Sequence, residues 1–446
     1  MTLETESLLL LKKGLETLER GFNDLPEFTS TIDVEPMARI LDEVATRMQD
    51  NYPYAHPLYA GQMLKPPHPM ARLAYMLSMW VNPNNHALDG GLASSAMEKE
   101  AVAEIAKMFG WEEQHLGHLT SGGTMANLEA LWIADKLHPG KMIVGSEQAH
   151  YTHSRITEVL KIPYMSVAID DRARMDLADL ELKLKTQDVG TVVVTLGTTG
   201  TGSIDPLPGI LELQKRYHFR IHIDSAYGGY FTLASNLDED GAAAYSMTDQ
   251  ADSIVIDPHK CGLQPYGCGC ILFKDVSVGA IYKHDSPYTY FSSDDLHLGE
   301  ISLECSRAGA GAVALWATQK LLPMEKHGTF AKDIEKSRSA ALKLYKLLAD
   351  DPLELTLYAP QLDIVIWAPK AQTASEISQL SQKMFDDAAK QNLHLAVMKV
   401  PRKLVEPYWP DVVFDQETVS CLRSCLMKPE HLAWIDEIWK IYKSVR

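Results

Sequence analysis

What this chain of 446 residues lacks narrows its function first. No apolar run approaches the roughly 18 residues that a membrane-spanning helix requires. The run Leu8–Leu11 is too short for a signal-peptide core, and it follows Glu4 and Glu6 rather than basic residues. Basic charge is in deficit: 42 Lys and Arg against 59 Asp and Glu leave a net charge of −17. That argues against nucleic acid and anionic membrane as partners. Any anionic ligand must be held by local donors, not by the overall field. There are only six cysteines, and none has the CxxC spacing of a zinc site, so no metal centre is expected. Reduced thiols in a cytoplasmic, soluble protein are the expectation. Internal repeats and low-complexity segments are also absent. What is present, 46% apolar and 23% charged residues, suits a sizeable core. At this length the expectation is one long catalytic domain with smaller flanking parts.

The stretch Asp252–Asp275, DSIVIDPHKCGLQPYGCGCILFKD, centres on Lys260. The β-branched run Ser253–Ile256 predicts a buried strand. Asp257-Pro258-His259 ends it, because proline lacks an N–H and disfavours helix before it. Gly262, Pro265, Gly267 and Gly269 form a loop before a second strand, Cys270–Phe273. A lysine at the end of a buried strand is desolvated. Its pKa is then expected to fall, making it a nucleophile toward an aldehyde. The ordinary alternative is a surface lysine in a loop.

Upstream, Thr120-Ser121-Gly122-Gly123-Thr124 opens a helix with Met125, Leu128, Leu131 and Trp132 as its apolar face. Two glycines allow close approach of a ligand. First-turn N–H groups and the helix dipole favour an anion there. No GK[ST] follows, so this is not a Walker loop. His150 follows the strand Met142–Ser146, at the end where open α/β sheets place ligands. His153 reads as an ordinary hydrogen-bonder. The strand Thr191–Leu196 runs into Gly197-Thr198-Thr199-Gly200. In the strand Arg220–Asp224, Arg220, His222 and Asp224 share one face, and Asp224 sits at the tip. Strand and helix alternate from 119 to about 275, which predicts an α/β domain with a mostly parallel sheet.

The flanks read differently. Leu3, Leu8, Leu11, Leu15, Leu18 and Phe22 predict an amphipathic helix that packs on its own domain or on a second subunit. Ser95, three residues before Glu98, is a plausible cap for a helix over 94–111. The segment from Gly279 to Leu298 has the composition of a mobile loop, with Tyr288 and Tyr290 placed to swing over a site. After about 322 the pattern changes to a smaller α+β unit. The boundaries are therefore 1–69, 70–325 and 326–446.

One cofactor uses all these parts. Pyridoxal phosphate needs a lysine for its aldehyde, an anion cradle for its phosphate and an aspartate for its ring nitrogen. The sequence resembles the group II pyridoxal-phosphate decarboxylases, the aromatic amino acid, tyrosine and glutamate decarboxylases of fold type I. The matching stretches are TSGGTMAN (Thr120–Asn127), EQAH (Glu147–His150), TLGTTGTGSID (Thr195–Asp205), HIDSAYGG (His222–Gly229) and DPHKCGLQPYGCG (Asp257–Gly269).

The resemblance implies a seven-stranded, mostly parallel sheet, a smaller C-terminal α+β part and a homodimer with sites at its interface. It implies that Lys260 bonds the cofactor and that His259 reaches the phosphate region. Ser121, Gly122, Gly123 and Thr124 hold the phosphate. Asp224 pairs with the ring nitrogen, Ala226 packs on the ring and His150 stacks on its other face. Thr198 lies at the cofactor edge. Tyr288 or Tyr290 returns a proton to the substrate. Arg423 fixes the substrate carboxylate, and Tyr59 belongs to the substrate pocket. Arg307 reads as a helix-start ion pair. Ser225 stands where the family often has alanine, and Lys428-Pro429 where it often has Asn-Pro. The implied activity is decarboxylation of an L-amino acid, with a tyrosine-like substrate favoured. The alternatives are an acidic substrate, an aldehyde-forming decarboxylation–deamination or a retro-aldol cleavage.

Overall fold

The computed structural model describes residues 5–26, 31–87, 90–283 and 298–446. Seven strands build the larger sheet: β1 (Leu116–Thr120), β2 (Met142–Ser146), β3 (Tyr164–Val167), β4 (Val189–Thr195), β5 (Arg220–Asp224), β6 (Ser253–Ile256) and β7 (Gly269–Phe273). Their order is β1-β7-β6-β5-β4-β2-β3. The pairings from β6 through β3 are parallel, and β7 runs antiparallel to both of its neighbours. The expected mostly parallel α/β fold is the one found.

The parallel strands are the readable ones. β4 (VGTVVVT) and β6 (SIVI) are buried along their whole length, as β-branched runs covered on both faces should be. β1 (LGHLT) was not expected as a strand, because Gly117 and His118 interrupt its apolar pattern. The structure explains both. A Cβ on Gly117 would come within 2.5 Å of Leu272 across the ladder. His118 is buried and satisfied, with Nε2 2.8 Å from Glu129 Oε2 and Nδ1 2.8 Å from Leu119 O.

Two local expectations are corrected. The helix read as starting near Ser94 spans Leu92–Met108 with Gly91 at its cap, so Ser95 is already inside it. The Ser95 hydroxyl is buried without a partner among the described residues. Glu98 turns inward instead and accepts from Asn85 Nδ2 at 2.6 Å, Leu119 N at 3.0 Å and Arg307 Nη1 at 2.8 Å. Arg307 is thus an ion-pair residue of the core. The second correction is the helix Gly123–Leu137, which has no single apolar face. Ala126, Ala130 and Ile133 join a cluster with Val255 and Ile271, while Leu131 packs with Ile143 and Val193. The helix lies across the sheet, so it is covered from two sides.

Beyond residue 350 a second sheet contains β8 (Glu354–Thr356), β9 (Ile364–Pro369), β10 (Ala396–Pro401) and β11 (Thr418–Cys425), in the order β10-β11-β9-β8 and all antiparallel. The helices Thr329–Ala349, Ala374–Lys390 and His431–Ser444 back it around Trp367, Leu422 and Tyr442. At the other end of the chain, the helix Thr5–Arg20 buries only Leu11, and the helix Val34–Met48 buries nothing. Leu8, Leu9, Met37, Ile40, Leu41 and Val44 are exposed.

Candidate active site

The parallel strands β4, β5 and β6 end side by side, with Thr195 opposite Asp224 and Asp224 opposite Val255. At these ends lies a cavity of about 360 Å³. Its walls include Ser121, Gly122, Gly123, Thr124, His150, Asp224, Ala226, His259 and Lys260, so the structure brings most of the sequence-predicted residues together.

Lys260 stands in the turn that follows β6, with its N–H donating to Asp257 O at 2.9 Å. Its Nζ lies 3.0 Å from Asp257 Oδ2. The expected fall in its pKa is reversed. Burial does work against the ammonium, but Asp257 and then Asp224 outweigh it and move the pKa up. In this state Lys260 is a paired cation. Asp257 itself is buried, and its Oδ1 has no partner among the described residues.

The helix Gly123–Leu137 opens on the same cavity. Gly122 precedes it at φ +152°, a conformation that a side chain would strain, and no side chain among the described residues caps the helix. Its first-turn N–H groups are therefore available to an anion, flanked by the exposed Ser121 and Thr124. Gly123 must lack a side chain, because a Cβ there would sit 2.8 Å from Asp257 Oδ2. His259 donates from Nδ1 to Cys268 O at 2.7 Å, and burial lowers its pKa.

Asp224 is buried at the cavity floor. Its Oδ2 lies 2.8 Å from His153 Nε2 and 3.4 Å from Asn127 Nδ2, and its Oδ1 accepts from Ala226 N at 3.1 Å. Burial alone would raise its pKa. The His153 hydrogen bond, the Ala226 N–H and Lys260 reverse this and hold it well below the usual carboxylate range. His222, on the same face of β5, reaches Asn127 Oδ1 at 2.8 Å and Ser253 Oγ at 2.9 Å; burial pushes its pKa down to about 3, so the ring is neutral. His150 accepts from Thr152 N at Nδ1 (3.3 Å), which places its own hydrogen on Nε2; burial lowers its pKa.

Other expected residues lie elsewhere. Thr198 is fully buried, its hydroxyl 2.7 Å from Thr201 Oγ1, and its neighbours Gly197 and Thr199 line the cavity instead. Arg423 is off the cavity and occupied: Nη2 donates to Thr199 O at 2.6 Å, Nε to Gly200 O at 2.8 Å and Nη1 to Gln62 Oε1 at 3.2 Å. Tyr59 is buried outside the cavity, with its carbonyl accepting from Lys428 Nζ at 2.6 Å. Tyr288 and Tyr290 lie outside the described residues. Ser225, where the family often has alanine, donates to Val255 O at 2.7 Å. Sequence reading missed Asp257, Asn127 and His153. Their one signal was helical or turn spacing, since Asp257 precedes Lys260 by three positions and His153 follows His150 by three.

The pattern of the pyridoxal-dependent decarboxylase conserved domain matches residues 16–367. The chain belongs to this family. It is 26% identical to an L-tyrosine decarboxylase of Enterococcus faecium, over 84% of this chain and 79% of that one. It is 28% identical to an L-aspartate decarboxylase of Thermococcus kodakarensis, over 69% and 79%. Among solved structures, mouse CSAD aligns with a TM-score of 0.79 at 18% identity, covering 100% of this chain and 92% of that one. Oryza sativa TDC with PLP and tryptamine aligns at 0.77 and 14%, covering 100% and 99%. These two show the likeness of fold. The decarboxylase's cofactor is pyridoxal phosphate, and the residues in place fit it. One cavity offers an uncapped helix start for the phosphate, an amine for the aldehyde and an ionised carboxylate for the ring nitrogen.

Proposed function

We propose that this pyridoxal-dependent decarboxylase acts on an L-amino acid with an uncharged aromatic side chain, of the tyrosine kind. Bound in the cavity, pyridoxal phosphate supplies an electron sink for the pair left at the substrate Cα when carbon dioxide departs. Ser121, Gly122, Gly123 and Thr124 would hold its phosphate, with His259 beside them. Asp224 would face the ring nitrogen, and Ala226 and His150 would cover the two ring faces. Lys260 would take the aldehyde once Nζ, 3.0 Å from Asp257 Oδ2, has shed its proton. Thr199, which lines the cavity, rather than the fully buried Thr198, would stand at the cofactor edge. Arg423 braces the Thr199–Gly200 turn through two carbonyls. Returning a proton to the substrate remains assigned to Tyr288 or Tyr290.

One observation carries the choice of side chain. Among the described residues lining the cavity, Lys260 is the only Lys or Arg, and it faces Asp224 and Asp257. A second substrate carboxylate would find no free cation there and two like charges. The half-exposed Tyr266, its ring 4.8 Å from that of His259, offers an aromatic surface instead. Tyrosine decarboxylases among the relatives support this reading, and aspartate decarboxylases among them make the test necessary. The holoenzyme is incubated separately with tyrosine, phenylalanine, tryptophan, aspartate and glutamate, and amine and carbon dioxide are measured. Turnover of an aromatic substrate is expected. Turnover of aspartate or glutamate alone would overturn the side-chain assignment.

The exposed apolar residues of the helices Thr5–Arg20 and Val34–Met48 support a second copy of the chain as their cover, in a homodimer. Light scattering of the purified protein tests this, and a monomeric mass would refute it. Six unpaired cysteines, five of them buried, support a cytoplasmic setting.

A further inference from the structure

We propose that His153 is a positioning residue: from behind the cavity it locks Asp224 as a carboxylate and so sets how firmly the pyridoxal ring is held. The inference rests on the pyridoxal reading of the site. His153 belongs to the helix Thr152–Leu160, is fully buried and does not line the cavity. Nothing else assigns it a role, and a core position of this kind is ordinarily filled by an aliphatic side chain.

The tautomer is settled by its two nitrogens. Nε2 lies 2.8 Å from Asp224 Oδ2. Nδ1 is buried with no partner among the described residues. A hydrogen on Nδ1 would be an orphaned donor, and it would leave two lone pairs facing each other at 2.8 Å. The ring therefore donates from Nε2 to the carboxylate.

The other contacts of Asp224 point the same way. Asn127 donates its Nδ2 to Oδ2 at 3.4 Å, and its Oδ1 lies 2.8 Å from His222 Nε2. His222 Nδ1 in turn lies 2.9 Å from the Ser253 hydroxyl. Oδ1 of Asp224 accepts from Ala226 N at 3.1 Å. Asp224 thus meets three donors. An ionised carboxylate, which only accepts, satisfies all of them; a protonated one would bring a fourth donor into a set of donors. The ionisable groups around it are His153, His150, His222, Lys260 and Asp257. Of these, His153 supplies the shortest hydrogen bond. Without it the buried carboxylate loses a donor and binds a proton more readily, and the positive ring nitrogen is held less firmly.

The test compares three apo-proteins: the parent, His153→Leu, which removes the donor, and His153→Gln, whose Nε2 carries donor hydrogens at about the same reach. Dissociation constants for pyridoxal phosphate are measured by absorbance, together with the pH at which the bound cofactor's absorption band changes. Loss of one hydrogen bond to a buried charge predicts affinity about tenfold weaker or more in the leucine variant. Its spectral transition should also move. The glutamine variant should stay close to the parent in both. Leucine and glutamine variants that behave alike would overturn the proposal, whether both resemble the parent or both fail. So would soluble apo-protein from His153→Gln but from neither His153→Leu nor His153→Met, because that would make the histidine a folding residue. A parent protein that binds no pyridoxal phosphate would instead refute the pyridoxal reading itself.

Discussion

Lys260 and Asp257, three residues apart in the turn after β6, form a 3.0 Å ion pair in which the second carboxylate oxygen of Asp257 is buried and has no partner among the described residues. The pair holds the amine protonated against the pull of its own burial. An amine that must attack an aldehyde has to lose that proton, so Asp257 tunes the step. Asp257→Asn removes the countercharge, and desolvation then dominates. Apo-protein carrying this change should capture pyridoxal phosphate with a rate–pH profile displaced toward acid. Stopped-flow absorbance checks it, and an unmoved profile would free Asp257 of this role. The sign of the stability effect follows too. A folded-state pKa raised above the unfolded one gives stability that is fully present below the unfolded value. It is lost as pH rises through the folded value, so the pair's contribution should disappear only in the alkaline range.

Gly123 offers a test in which two effects oppose each other. Within a helix, Gly→Ala ordinarily stabilises by about 1 kcal/mol. Here the new Cβ would lie 2.8 Å and 3.0 Å from the two oxygens of Asp257, a buried side chain already tied to Lys260. Overpacking of this kind costs about 1–3 kcal/mol, so the clash should win. Gly123→Ala is expected to melt lower than the parent and to bind pyridoxal phosphate at least about tenfold more weakly, since about 1.4 kcal/mol is a factor of ten. An unchanged melting temperature with unchanged affinity would show that Asp257 moves aside freely.

Arg423 is off the cavity but touches its wall. Its guanidinium spans the carbonyls of Thr199 and Gly200 and reaches Gln62. Lysine cannot present two donors in that fork. Arg423→Lys should therefore loosen the Thr199 turn, lowering the melting temperature and weakening substrate capture. Losing one hydrogen bond from a charged donor costs about 1.5–3 kcal/mol. Calorimetry and KM together check it. A higher KM with unchanged stability would return the arginine to the substrate carboxylate, the role its sequence resemblance implied.

The contrast between these residues shows how much the sequence carries. Lys260, Asp224 and the Gly122-Gly123 helix start were legible because each imposes a backbone constraint that leaves a mark: a strand end, a proline stop, a pair of glycines. The parallel strands were legible as β-branched runs. β1 was not, since its pairing with β7 and the His118–Glu129 contact are long-range facts. Side-chain direction was the least visible. Thr198 and Thr199 are indistinguishable in sequence, yet only Thr199 faces the cavity. His153 and Asp257 act from behind residues that were found, through three-residue spacings that any helix or turn also produces. The protonation state of Lys260 was misjudged for the same reason: burial was inferred, but its partner was not.

Asp363 provides a pH-dependent prediction at the junction of the two sheets. It precedes β9, is fully buried and accepts from the Tyr227 hydroxyl at 2.5 Å through Oδ1, while Oδ2 has no partner among the described residues. Burial pushes its pKa up to about 6, only partly opposed by the Tyr227 hydrogen bond and Lys65. A carboxyl whose folded pKa exceeds its unfolded one stabilises the fold most below the unfolded value, and that contribution is lost as pH rises through the folded value. The parent protein should therefore lose stability at this site between about pH 4 and 6. Asp363→Asn keeps the acceptor for Tyr227 and has no charge to bury. The variant should unfold at higher denaturant than the parent above about pH 7, by on the order of 1 kcal/mol, and the difference should shrink toward about pH 4. Urea titrations at several pH values decide it. A difference that stays constant across the range would mean that Asp363 does not titrate there, and that Tyr227 holds it as a carboxylate throughout.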